Sequence, residues 1–208
     1  MFSSNYLKVA VFSLLLFLSS YTYATTFVLS DDGLIDERTI TKIEEIGNEA
    51  QSKLGVNIFV YIKNSLGLEQ GISTKDKIKY IKKYENDITN SLVKPYVLLT
   101  MAVDDTHVNL IVSSEFEKVI DKNEILNGYV VPLLASKDKN SIFSKVSASV
   151  LNGYAAIADV IADSKDIKLE SSIGSSGKIA GTVWKVLMYT LIVVGLLLYV
   201  FAVLKRKK

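Results

Sequence analysis

The sequence predicts a small mixed α/β domain, a sheet of about four strands with helices on both faces, followed by a single C-terminal transmembrane helix. Three observations carry this expectation. The run "YVLLTMAV" (96–103) is apolar on both faces, as in a strand covered on both sides. Two stretches of helical period, 36–55 and 73–92, separate three strand-like runs, the order of parallel strands joined by right-handed crossovers. Finally, "VLMYTLIVVGLLLYVFAVL" (186–204) is free of charge, and a helix of about 20 apolar residues crosses the hydrocarbon core.

The elements follow in order. The start, "MFSSNYLKVAVFSLLLFLSSYTYATTF", has one basic residue, Lys8, an uncharged run from Val9 to Leu18, and small residues before a cut after Ala24. Residues 1–24 therefore read as a secretory signal peptide. "TFVL" (26–29) is expected as a short strand. Asp36 then caps a helix whose stripe is Ile40, Ile43, Ala50 and Leu54, and Gly55 ends it. "VNIFVYIK" (56–63) alternates as a strand does. Ser73, with Asp76 three residues later, opens a second helix expected to turn Ile78, Ile81, Ile88 and Leu92 inward. After the apolar strand, Asp104, Asp105 and Thr106 lead into "HVNLIVS" (107–113), which alternates like an edge strand, so the two form a hairpin. Helical segments are expected at about 115–135, interrupted near Pro132, and at 140–163, with a face of Phe143, Val146, Val150, Tyr154, Ile157 and Ile161.

This gives an extracytoplasmic domain over 25–163, a flexible Ser/Gly/Lys-rich linker over 164–182, a transmembrane helix over 183–204 and a basic tail, "KRKK", over 205–208. The positive-inside rule puts that tail in the cytoplasm and the domain in the periplasm or outside the cell. Residues 25–163 hold 20 acidic and 15 basic side chains, so the chain's +2 comes from its other segments. Nucleic acid is excluded as a natural partner on both grounds; the membrane itself is the expected one. The absence of cysteine excludes disulfides, thiolate catalysis and cysteine metal sites.

Little in the sequence points to familiar catalytic chemistry. There is no G-x-S-x-G elbow and no glycine-rich phosphate loop, and His107 is the only histidine. Lys75, Lys79 and Lys82 form a basic helix face, suited to water or to anionic headgroups. Asp104 and Asp105, with Asp31 and Asp32 in another loop that follows a strand, offer carboxylates to a hard cation. The same residues equally suit acidic turns and the start of a helix. Neither loop has the fixed spacing of an EF-hand.

The order "VLSDDGLIDE", helix, "LGVNIFVYI", helix, "LLTMAVDDTHVNLIV", two helices, linker and terminal span resembles the TPM-domain family over residues 26–163. The resemblance implies a membrane-attached extracytoplasmic α/β domain in a family whose members include phosphatases, divalent-cation binders and maintenance factors of membrane complexes. It matches Asp104 and Asp105 to the family's acidic turn and Glu117 to an acidic position after the edge strand. Asp31, Asp32, Asp104, Asp105 and Glu117 are then the expected ligands of calcium or magnesium, with no organic cofactor. Two family glycine positions are replaced here, by Lys94-Pro95-Tyr96 and by "SSEFE", which removes backbone freedom beside a small ligand. The expected function is accordingly a membrane-anchored binding or assembly module, the alternative a metal-assisted phosphatase.

Overall fold

A computed structural model of the chain describes residues 26–68, 71–174 and 188–196. β1 (Val28–Ser30), β2 (Asn57–Lys63) and β3 (Tyr96–Ala102) run parallel, and β4 (His107–Val112) is antiparallel to β3, in the spatial order β1-β2-β3-β4. This is the mixed four-stranded sheet expected from the sequence. Every residue of β3 is buried, whereas β4, at the edge, buries only Leu110 and Val112.

Helix α1 (Glu37–Leu54) follows β1, with the Asp36 carboxylate accepting from the Thr39 amide and Gly55 closing the helix at φ +67°. α2 (Thr74–Thr89) joins β2 to β3 and starts where Ser73 accepts from the Asp76 amide. The chain then passes through α3 (Lys122–Ile125), a π-helical turn (Leu126–Val130) and α4 (Val131–Leu134) to reach α5 (Ile142–Ser164). Residues 114–119 are turns, so helix begins at Lys122, later than the sequence suggests, where the Asp121 side chain caps two amides.

α1 and α5 cover one sheet face, α2 the other. On the first, the buried Tyr154 hydroxyl of α5 donates to the Ile58 carbonyl at 2.8 Å. A Cβ on Gly47 of α1 would lie 2.5 Å from that hydroxyl and press on the Phe27 ring, so only glycine lets the two helices and the sheet meet there. On the second, Ile81 and Glu85 are the buried residues of α2. Ile78, expected inward, is half exposed, and Phe143 of α5 is exposed as well.

The packed domain also runs past residue 163. Lys165 donates to the Leu54 carbonyl, Leu169 is buried, and Glu49 accepts from the Glu170 and Ser171 amides at 2.9 and 2.7 Å. Burial acts to raise the Glu49 carboxyl, but Lys53, Ser171 and the two amides outweigh it and hold the group at about 2. The core runs from Phe27 to Leu169, so residues 26–174 carry it whole.

Residues 188–196 are helical and exposed. Among the described residues no helix is long and apolar enough to cross a membrane. The expected span over 183–204 lies mostly outside the described residues, as do the expected signal peptide and the basic tail.

Candidate functional site

The loops that follow β1, β2 and β3 open at one end of the sheet, where parallel α/β folds commonly bind ligands. Asn64 ties them together. Its amide donates to the Asp32 carboxylate at 3.0 Å, and its carbonyl accepts from the Asp104 amide at 2.8 Å. Asp32, at φ +48°, also takes the Lys63 ammonium at 2.8 Å. The hydrogen bond from Lys63, then that from Asn64, pulls the Asp32 carboxyl below its usual range, and the same bond raises Lys63. Each partner of this pair is more than a quarter exposed, so it contributes only about 0.2–1 kcal/mol.

Asp105 is equally occupied. Its carboxylate accepts from the Leu66 amide at 2.6 Å and the Ser65 hydroxyl at 3.2 Å, while its carbonyl accepts from Lys77 at 2.7 Å. The turn residue Thr106 sits at φ +51°, with its amide on the Val103 carbonyl. The sequence thus correctly groups Asp31 and Asp32 with Asp104 and Asp105 at one end.

Glu117 does not join them. Ser113 pairs with Tyr96 at the start of β3, and the neighbouring Phe116 ring lies 5.7 Å from Lys165, which bonds Leu54. That is the opposite end of the sheet, roughly 20 Å away at about 3.3 Å per residue. Among the described residues no group of three or more histidine, aspartate or glutamate side chains is arranged to hold a metal ion. A hard divalent ion needs six or more oxygens. Here two ammonium groups, Lys63 and Lys77, and several amides already take oxygens of Asp32 and Asp105, so the donor set as folded does not fit such an ion without displacing Lys63.

A second polar cluster lies beneath α2 and escapes the sequence reading. Glu85, 7% exposed, accepts from the Thr100 hydroxyl at 2.7 Å and the Asn109 amide at 2.9 Å, and meets His107 Nε2 at 2.8 Å. Burial opposes its ionisation, but bonds from His107, Thr100 and Asn109 win and keep its carboxyl below the ordinary value. Beside it the Tyr61 and Tyr84 hydroxyls are 2.6 Å apart, and burial, then this bond, pushes Tyr84 up to about 12. The available signal is that Thr100 and Asn109 interrupt apolar strands at cross-strand partner positions, with His107 on the same face.

No protein-family model matches the chain, and no curated protein matches it. Solved structures do. The N-terminal domain of a protein from P. gingivalis, a solution NMR structure, is 15% identical with a TM-score of 0.52, over 71% of this chain and 88% of that one. BA42 from the psychrophilic bacterium Bizionia argentinensis, also an NMR structure, is 14% identical with a TM-score of 0.40, over 67% and 94%. The first of these shows a shared fold for a small domain of this kind.

Proposed function

We propose that this chain is a membrane-anchored extracytoplasmic binding or assembly module of TPM type, held by a C-terminal span over 183–204. The observation that carries this reading is the cross-tied loop face at the C-terminal ends of β1, β2 and β3. Asn64, Lys63 and Lys77 lock three loops into one surface, and α5 leads the chain away from it to the other end, where Lys165 meets Leu54. A face of cross-tied loops suits recognition of a partner in the aqueous phase, such as a membrane-protein complex. The competing phosphatase needs an ion that polarises a phosphoryl oxygen and activates water. Two of the carboxylates it would use, Asp32 and Asp105, instead hold the loops together, which favours binding over catalysis.

A calcium or magnesium ion at Asp31, Asp32, Asp104 and Asp105 enters this reading only by replacing Lys63 on Asp32. Two measurements test the module. Photocrosslinkers introduced at Asp31 and Asp104 in membranes should capture a discrete partner, and those at Glu117, on the opposite end, should not. Purified 26–174 should leave a generic phosphate ester intact with calcium or magnesium. Turnover that Asp104→Asn removes would favour the phosphatase instead.

A further inference from the structure

We propose that the outer face of α2 is a docking surface for a bilayer that carries anionic phospholipid. Residues 25–163 are net acidic, yet five of their 15 basic side chains fall within residues 75–83, where Asp76 is the only acid. One of the five, Lys77, is turned to the loops and donates to the Asp105 carbonyl. Lys75, Lys79, Lys82 and Lys83 are exposed, and none forms an ion pair among the described residues. The inner side of the helix is fixed, because Glu85 meets His107 and Asn109 of β4 and Tyr84 meets Tyr61 of β2. Lys75, Lys79 and Lys82 stand at i, i+4 and i+7 on the side away from these contacts. Ile78, 50% exposed, completes their row.

Exposed ammonium groups gathered on an otherwise acidic domain select an anionic partner, and the isoleucine among them selects which kind. At a bilayer surface lysine heads reach the phosphates, while their methylene stems and a neighbouring apolar side chain enter the boundary below. A purely charged protein surface would engage the lysines and leave Ile78 unused. The course of the chain argues the same way, and here the proposal rests on the anchor proposed above. The described domain ends at residue 174 and the uncharged run starts at Val186. Residues 175–185 reach at most about 40 Å, more than twice the radius of gyration of about 15 Å expected for a domain of this size. That length lets α2 meet the lipid even though Glu49 of α1 holds the exit segment on the other side of the sheet.

Residues 26–174, which hold the core complete, would be sedimented with vesicles. Binding is expected to vesicles of equal phosphatidylglycerol and phosphatidylcholine but not to phosphatidylcholine alone, and should weaken as added salt screens the charges. Each lysine near such a surface contributes about fivefold in affinity, so Lys75→Gln with Lys79→Gln and Lys82→Gln should cost roughly a hundredfold. The same charge removed elsewhere, by Lys118→Gln with Lys122→Gln and Lys139→Gln, should leave binding intact. Ile78→Ser should weaken binding to the mixed vesicles. These side chains are exposed, so every variant should melt like the native fragment. The fragment lacks the span, so a failure here is distinct from failure of the anchor, which protease protection of the full chain tests. Three results would each overturn the proposal. They are no binding to the mixed vesicles, an equal loss in both triple variants, or poly-glutamate bound as tightly as the mixed vesicles with Ile78→Ser without effect. The last would assign the face to an acidic protein.

Discussion

At Gly47 a single hydrogen atom decides the fit of two helices. Alanine is favoured over glycine in a helix by about 1 kcal/mol, so Gly47→Ala would stabilise an open position. Here the added methyl meets the Tyr154 hydroxyl, itself bonded to Ile58, and the buried Phe27 ring. Overpacking of this kind costs about 1–3 kcal/mol, and the variant is expected to melt several degrees lower. An unchanged melting temperature would mean that α1 and α5 separate freely at this point. The acidic loop allows a second measurement on single side chains. Because Lys63 and the Leu66 amide already occupy Asp32 and Asp105, calcium below the millimolar range should leave melting of 26–174 unchanged. Asp104→Asn with Asp105→Asn should also change little, since asparagine keeps an acceptor oxygen and the turn geometry. A calcium-dependent rise that this double variant removes would restore the ion site, and at 100 times the dissociation constant it would amount to about 2.7 kcal/mol.

Among the elements, α2 is held to the sheet in an unusual way, with Glu85 as its central contact beside Ile81. The Glu85 carboxyl is lower in the fold than its usual value of 4.5, so it stabilises the fold above that value. The contribution disappears as pH falls through the depressed folded value, once the carboxyl protonates and can no longer accept from all three partners. Glu85→Gln should therefore destabilise the fold near neutrality by the order of 1–3 kcal/mol, lowering the melting temperature there, and flatten its fall in acid. Parallel acid profiles for native and variant would remove Glu85 from the account. This helix also marks the limit of what the sequence reveals. Its start was legible because Ser73 and Asp76 form a local cap, and α1 was legible at both ends for the same reason. Its buried face was not, because periodicity ranks Ile78 above Glu85, and only the facing Thr100, Asn109 and His107 make a carboxylate the better inward residue. β2 and β4 were legible from their alternation, and β3 from its unbroken apolar run. The π-helical turn at 126–130 and the docking of residues 165–171 were not, since both depend on contacts with distant elements rather than on local pattern. At the candidate site, turn chemistry exposed Asp32, Asp104 and Asp105, while the role of Asn64 as their link came only from the fold.

For the molecule as a whole, the two ends of the sheet differ in what they offer. Loops cross-linked by Asn64 lie toward one end, and the return of the chain past Leu54 lies at the other. The sequence then continues through the uncharged run 186–204 to the basic residues 205–208. If that run spans the bilayer, the basic tail is retained in the cytoplasm and the domain is held outside. Protease added to intact spheroplasts should then cut within 26–174 or in the segment after it, and spare a tag placed behind Lys208. Permeabilised cells should lose the tag as well, which controls for its intrinsic resistance. The acid-sensitive contact of Glu49 with Glu170 and Ser171 sharpens the test. Its carboxyl is held at about 2, well below its ordinary value of 4.5, so the exit segment stays docked at neutral pH. Glu49→Gln should release it and hasten cleavage after residue 164 without altering the protection of the tag. A tag digested in intact spheroplasts would reverse the orientation and place the loop face in the cytoplasm. A chain released from membranes by alkaline carbonate would remove the span itself and leave a domain that works unanchored.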